Sequence, residues 1–133
     1  MNSLHGHIEE INVSGCLSLV FIRLHPEVKV EVIVIETPET ASYLKTGNPI
    51  KLLFKETEVI LGTDEHPAIS LQNKITGPVK KIERGTILSK VVLYTVVGEV
   101  TAIISTNALE QLALEEGMEV VAMIKLNEIM LSE

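Results

Sequence analysis

The sequence is poor in aromatic residues and in cysteine. Its 133 residues include no tryptophan, two tyrosines, two phenylalanines and one cysteine. The core therefore has to be built from Val, Ile and Leu. The single Cys16 excludes an internal disulfide and favours a reducing, cytoplasmic location. No apolar run approaches the roughly 20 residues that span a bilayer, and no signal peptide is visible, so no membrane association is expected.

The sequence also has a deficit of positive charge. The formal net charge is −7, which makes nucleic acid and anionic membranes poor partners. The exception is one basic segment, which indicates either a solvated strand edge that discourages aggregation or a local attraction for small anions. Its members are Lys74, Lys80, Lys81, Arg84 and Lys90.

Motifs for catalysis are absent from the sequence. It has no Gly-rich phosphate loop, no dinucleotide-binding glycine pattern, no Cys-x-x-Cys and no His-Glu-x-x-His. Cys16 follows and precedes small or apolar residues, so a buried thiol is predicted rather than a nucleophile. His5 and His7 would share one face of a strand, but nothing completes a set of four metal ligands. No enzymatic activity is expected.

An internal repeat with an offset of 70 residues organises the chain. Residues 47–61 match residues 117–131, with Gly47 and Lys55 recurring as Gly117 and Lys125. A turn-rich joint at residues 62–67 separates the copies. The sequence thus predicts two domains, residues 1–66 and 67–133.

Each copy is predicted to be mainly β. Short β-branched runs are separated by glycine turns, and residues 106–114 place Ala and Leu at helical spacing before Gly117. The equivalent helix of the first copy is expected at residues 38–44. This pattern favours two tandem OB-like five-stranded β-barrels, each with one short α-helix. Because barrels this small bury little surface alone, a homo-oligomer, a trimer or a dimer, is expected.

Two groups of hydrogen-bond donors could hold a small oxyanion. One is the polar segment Ser70, Leu71, Gln72 and Asn73; the other is Lys125, inside an apolar strand. Ser105 and Thr106, before the predicted helix, add hydroxyls and a helix N-terminus. The alternatives are a solvated Lys125 or its pairing to Glu128, and plain helix capping by Ser105 and Thr106.

Three stretches together resemble the molybdate-binding Mop domains, also called TOBE domains. Residues 69–85 are similar to the family's opening Ser-Ala-Arg-Asn and its following glycines. Residues 103–117 resemble its Ile-Thr, helix and glycine, and residues 121–130 resemble its final strand with a lysine. The resemblance implies a cytoplasmic protein that binds molybdate or tungstate between the subunits of an oligomer, for molybdenum storage, homeostasis or sensing.

Carried onto this sequence, the resemblance assigns the oxyanion to Ser70, Asn73, Ser105 and Lys125, together with their neighbours Leu71, Gln72 and Thr106. Gln72 stands where the family has Arg, and Ala108 stands where it has a hydroxyl. The first copy is degenerate, because it keeps Lys55 but has Ile35 at the position before the helix. These departures favour an alternative, a non-binding oligomerisation or regulatory module that partners a molybdate transporter ATPase.

Overall fold

The computed structural model describes residues 1–64 and 68–133. No helix in these two ranges is long and apolar enough to cross a membrane. Over the same ranges the chain is mainly β, as predicted. Its elements are β1 (Asn2–Ser14), β2 (Leu17–His25), β3 (Val28–Val34), β4 (Pro49–Phe54), a 3₁₀ helix (Glu56–Glu58), β5 (Ile60–Gly62), β6 (Asn73–Glu83), β7 (Leu88–Thr95), β8 (Gly98–Ser105), α1 (Thr106–Gln111), β9 (Glu119–Ile124) and β10 (Met130–Ser132).

The described strands form two antiparallel sheets of five strands each. Their orders are β10-β4-β1-β2-β3 and β5-β9-β6-β7-β8. The short last strand of each half therefore joins the sheet of the other half: β5 pairs with β9, and β10 pairs with β4. The division at residues 66 and 67 stays a prediction, as does closure of each sheet into a barrel. The strand pairing nevertheless makes each sheet depend on both halves.

The prediction of a helix at residues 38–44 is wrong. Among the described residues α1 is the only α-helix. A single helical turn forms there, in which Ala41 N–H bonds the Thr37 carbonyl at 2.9 Å. The Thr40 hydroxyl accepts from Thr37 N–H at 2.9 Å, and such local bonds compete with helix formation. Four of the seven residues of this segment are Pro, Thr, Ser or Tyr, whereas four of the six residues of α1 are the stronger helix formers Ala, Leu, Glu and Gln.

One hydrophobic core cluster contains residues of both halves. Its large side chains are almost entirely aliphatic, as the shortage of aromatic residues requires. The largest fully buried ones are Ile8, Ile22, Leu52, Phe54, Ile75, Leu93, Leu109 and Ile124. Burial of such a side chain contributes about 1.5–3 kcal/mol, so the shared core and the exchanged strands stabilise the two halves together.

Two buried asparagines join the halves in equivalent ways. At the start of β6, the Asn73 amide donates to the Glu31 carbonyl at 2.8 Å and accepts from Glu31 N–H at 2.7 Å. At the start of β1, the Asn2 amide makes the same pair of bonds with Thr101, both at 2.8 Å. A side-chain amide offers the donor and acceptor of a peptide group. Each asparagine thus continues the hydrogen bonding of an edge strand, β3 or β8, in the opposite half.

Candidate functional site

A pocket of about 300 Å³ lies at the junction of the two halves. It brings together four of the seven residues that the sequence singled out, namely Ser70, Leu71, Gln72 and Lys125. It is lined by Ile33, Ser70, Leu71, Gln72, Lys125, Leu126 and Asn127. This lining includes no carboxylate. It offers an ammonium, a hydroxyl, two side-chain amides and backbone N–H groups, which are the donors that an anion needs.

Three of these lining residues were missed by the sequence analysis. Leu126 and Asn127 follow Lys125 directly and could have been found from that position alone. Ile33 belongs to β3 in the first half, and its N–H donates to the Leu126 carbonyl at 3.2 Å. No local sequence signal connects Ile33 with residues almost a hundred positions away, so only the tertiary structure reveals it.

Leu71 anchors one wall of the pocket. Its side chain is buried in a small cluster with Val121 and Met123 of β9, so any contact of Leu71 with a ligand in the pocket would use its backbone. The flanking Ser70 and Gln72 are exposed. Alternation of a buried apolar residue with exposed polar ones holds the backbone in place and leaves the hydroxyl and the amide accessible.

Lys125 lies beside this segment, because Asn73 pairs with Ile124 at the end of the β6–β9 ladder and Lys125 is the next residue. It directly follows β9 and is exposed, and its carbonyl accepts from Glu128 N–H at 2.9 Å, which closes a turn. Among the ion pairs of the described residues none involves Lys125, so the alternative of pairing to Glu128 is wrong. Within the described residues no carboxylate pairs with its side chain, so the ammonium is available to an anionic ligand.

Asn73 is not placed as a ligand of the pocket, although the sequence predicted it to be one. Its side chain is only 1% exposed, and the amide oxygen and one amide hydrogen bond the backbone of Glu31. Asn73 does not line the pocket, although it directly follows Gln72.

Ser105 and Thr106 lie at the other end of the second sheet. Ser105 pairs with Leu88 at the start of β7, beyond the pairing of Glu83 with Lys90, whereas Asn73 is at the opposite end of β6. Ten residues of extended strand separate the two ends, which corresponds to roughly 30 Å along the strand. Neither Ser105 nor Thr106 lines the pocket of the single chain.

Both hydroxyls have structural partners at that end. The Ser105 hydroxyl accepts from Ala108 N–H at 3.0 Å and caps α1, as the capping alternative predicted. The buried Thr106 hydroxyl donates to the Gly85 carbonyl at 2.9 Å and lies 2.8 Å from the Ser89 hydroxyl. Ser105 is exposed and retains its own hydroxyl hydrogen, so it is the more available donor of the two.

The basic segment is largely neutralised by nearby carboxylates. Four of its five side chains form ion pairs, and the Glu99 carboxylate raises the pKa of Lys80 through a hydrogen bond. The pairs are Lys80–Glu99, Lys81–Glu83 at 3.2 Å, Arg84–Glu110 at 3.0 Å and Lys90–Glu83 at 3.8 Å. These exposed pairs contribute little stability, but they cancel most of the local positive charge and favour the solvated-edge interpretation.

A larger cavity, about 460 Å³, lies at the end of the first sheet. It has a carboxylate and no cationic side chain in its lining, so it does not suit an anion. The lining residues are Gly15, Cys16, Ile35, Glu36, Thr37 and Thr40. The predicted burial of Cys16 is wrong: the thiol is exposed, because Cys16 follows Gly15 in the tight turn between β1 and β2, where Gly15 has φ of +62°.

His5 and His7 are exposed on the same face of β1, as the alternation of a strand predicts. Their cross-strand partners include the cationic Lys51 and Arg23. No group of three or more metal-ligating side chains exists in residues 1–64 and 68–133. His66 lies outside the described residues.

Comparison with known proteins identifies the family. The model of the TOBE domain matches residues 69–131. Molybdenum-pterin-binding protein 3 of Clostridium pasteurianum is 37% identical over 65 residues, which are 48% of this chain and 96% of that protein. Molybdenum-pterin-binding protein 2 of the same organism is 34% identical with the same coverage.

A solved structure covers nearly the whole fold. The chain superimposes on the cytoplasmic molybdate-binding protein ModG, crystallised with molybdate bound, with a TM-score of 0.90 and 28% identity, over 98% of this chain and 94% of ModG. These relatives are binding proteins and not enzymes, which confirms the non-enzymatic class. Two relatives are more than 30% identical to this chain over 96% of their own length, and the TOBE domain model matches residues 69–131 of the chain. The chain therefore belongs to the TOBE domain family.

Proposed function

We propose that the chain binds molybdate or tungstate as a dianion in the pocket lined by Ser70, Leu71, Gln72 and Lys125. The observation that supports this most directly is the meeting of the unpaired Lys125 ammonium with these donors in a lining without a carboxylate. A fully deprotonated tetrahedral oxyanion accepts hydrogen bonds only, so it fits such a lining. The relatives named above bind molybdate or a molybdenum compound, and the proposed role is molybdenum storage, homeostasis or sensing in the cytoplasm.

We also propose that a second copy of the chain completes the site. Ser105 and Thr106 lie far from Lys125 within one chain, so both groups contribute to one oxyanion only across a subunit interface. The surface beside Ser105 suits such an interface, because Ile87 and Leu88 are 77% and 57% exposed there. Covering this apolar surface would favour a homo-oligomer, a trimer or a dimer.

Calorimetric titration of the ligand-free protein with molybdate, tungstate and sulfate tests the binding. Lys125→Ala should remove a charge-assisted bond worth about 1.5–3 kcal/mol, a loss of affinity of roughly ten- to a hundred-fold. Lys55→Ala is the matched control. Lys55 is also exposed after a strand, and its carbonyl closes the equivalent turn by accepting from Glu58 N–H at 3.0 Å.

The control variant should bind with nearly unchanged affinity, since Lys55 does not line the pocket. Equal losses at both lysines would contradict the assignment to this pocket. A wild-type protein that binds neither oxyanion would favour the alternative, a regulatory or oligomerisation module that contacts a molybdate transporter ATPase. Sedimentation at micromolar concentration tests the assembly, and a monomer with and without oxyanion would contradict the shared site.

A further inference from the structure

The edge of β3 contacts residues next to both groups of donors in the oxyanion pocket. Glu31 and Ile33 are two residues apart, so their backbone groups face the same side of the strand. Glu31 bonds the Asn73 side chain through both its N–H and its carbonyl, and Ile33 N–H bonds the Leu126 carbonyl at 3.2 Å. One short stretch of the first half therefore contacts the first residue of β6 and the segment after β9.

These two contacts add to the β6–β9 ladder, which ends at the pair of Asn73 with Ile124 and already places the segment before Asn73 beside Lys125. Asn73 directly follows the wall formed by Ser70 and Gln72, and Leu126 directly follows Lys125. If either contact is lost, the segment beyond the Asn73–Ile124 pair loses a constraint that the ladder itself does not provide. Backbone N–H groups and side-chain amides hold an anion only when they converge on one point, so the spacing matters for affinity.

We infer that Asn73 is a positioning residue of the oxyanion site and not a ligand, and that it acts by fixing residues 70–72 on the β3 edge beside Lys125. This inference rests on the proposed function. The burial of the Asn73 side chain and its two bonds to Glu31 keep it out of the pocket. The bonds that hold the site together thus cross from the second half to the first.

The chain contains a matched control for this inference. Asn2 makes an equivalent pair of bonds to Thr101 and is also buried, at 5% exposure. It holds the edge of β8 and does not line the pocket. Asn73→Ala and Asn2→Ala should therefore lower the thermal midpoint by similar amounts, since each leaves one backbone N–H and one carbonyl without their partner.

Their effects on binding should differ. In calorimetric titration with molybdate, at a temperature where circular dichroism shows all variants folded, Asn73→Ala should weaken binding about tenfold or more, as loss of an outer partner does at metal sites. Asn2→Ala should stay within about twofold of the wild type, because distant sites act independently. Asn73→Leu and Asn2→Leu repeat the comparison with the side-chain volume filled, in case the alanine variants do not fold.

Each outcome either supports or overturns the positioning role of Asn73. A selective loss at Asn73 supports the positioning role. Equal affinities of the Asn73 and Asn2 variants, with a wild type that binds molybdate, overturn it and leave the proposed function intact. If both Asn73 variants are unfolded while the Asn2 variants are folded, the positioning role is also overturned, because Asn73 then acts on stability alone. A wild type that binds no molybdate contradicts the proposed function, and this inference fails with it.

Discussion

Substitution of Gly77 by Ala tests how closely the strands of the second sheet cross. Gly77 lies in β6, four residues after Asn73, where β6 passes the end of β7. A Cβ atom at Gly77 would lie 2.8 Å from the Tyr94 carbonyl oxygen and 2.9 Å from Cγ2 of Thr95. The first of these is a backbone atom, which cannot move without displacing the β7–β8 hairpin.

The expected cost follows from this geometry. Overpacking a well-packed interior costs about 1–3 kcal/mol, and the backbone contact places Gly77→Ala near the upper end, at about 2–3 kcal/mol. That is a large part of the 5–15 kcal/mol by which domains are typically stable. The first half requires glycine for the same reason, because a Cβ at Gly6 would lie 2.5 Å from the Arg23 carbonyl oxygen.

Urea unfolding followed by circular dichroism measures the effect, with Gly62→Ala as the control. A Cβ at Gly62 would meet the flexible end of Met123 at 3.2 Å. Replacing Gly by Ala also makes the unfolded chain less flexible, which stabilises the folded protein by about 0.4–1 kcal/mol. We therefore expect Gly62→Ala to stay within about 1 kcal/mol of the wild type. A Gly77→Ala variant that is as stable as the Gly62→Ala variant would refute the close crossing.

Three further predictions follow from the structure. Gln72→Arg should tighten molybdate binding by about 1–2 kcal/mol in calorimetry, because it adds a planar cation to a lining whose one cationic side chain is Lys125; no gain would exclude Gln72 from the site. Desolvation and a hydrogen bond to Glu36 raise the pKa of Tyr43, so in an alkaline absorbance titration, with Tyr43→Phe as the reference, the Tyr43 phenol should ionise above the ordinary tyrosine pKa. The stability that the half-buried, protonated Tyr43 provides is present below the ordinary tyrosine pKa and is lost as the pH rises through the raised value, and ionisation of Tyr43 at the ordinary tyrosine pKa would contradict this. Residues 1–66 and 67–133, expressed separately, should lack the circular dichroism of the folded chain until they are mixed, because each sheet needs a strand from both; two independently folded halves would disprove that dependence.

The strands and the helix in the second half are largely predictable from sequence. The β-branched runs and glycine turns gave the strand order along the chain, and Ala and Leu at helical spacing gave α1. With one residue of slippage the repeat also aligns Gly6 with Gly77, and both are glycines at close crossings in the structure. The failures have local causes: the helix expected at residues 38–44 contains weak helix formers, and Cys16 is exposed because a turn interrupts its apolar neighbourhood.

Part of the candidate site was also predictable from local chemistry. Ser70, Gln72 and Lys125 are a hydroxyl, an amide and an ammonium that stand next to apolar strand residues, and they do share one pocket. The burial of Asn73 and the position of Ser105 at the far end of the sheet were not predictable. Both depend on which edge of which strand a residue meets, and the sequence pattern reports only which face of a strand is apolar.

The sequence by itself determined the mainly β class, the aliphatic core, the spacing of the repeat and the candidate oxyanion donors, because these depend on residue type and short-range periodicity. Only the tertiary structure decided that β5 and β10 exchange between the halves, and that Ile33 of the first half lines a pocket of the second. Each exchanged strand has three residues, too few for a periodic pattern to specify a partner. Their partners are residues distant in sequence, such as Met123 for Ile60 and Leu53 for Met130.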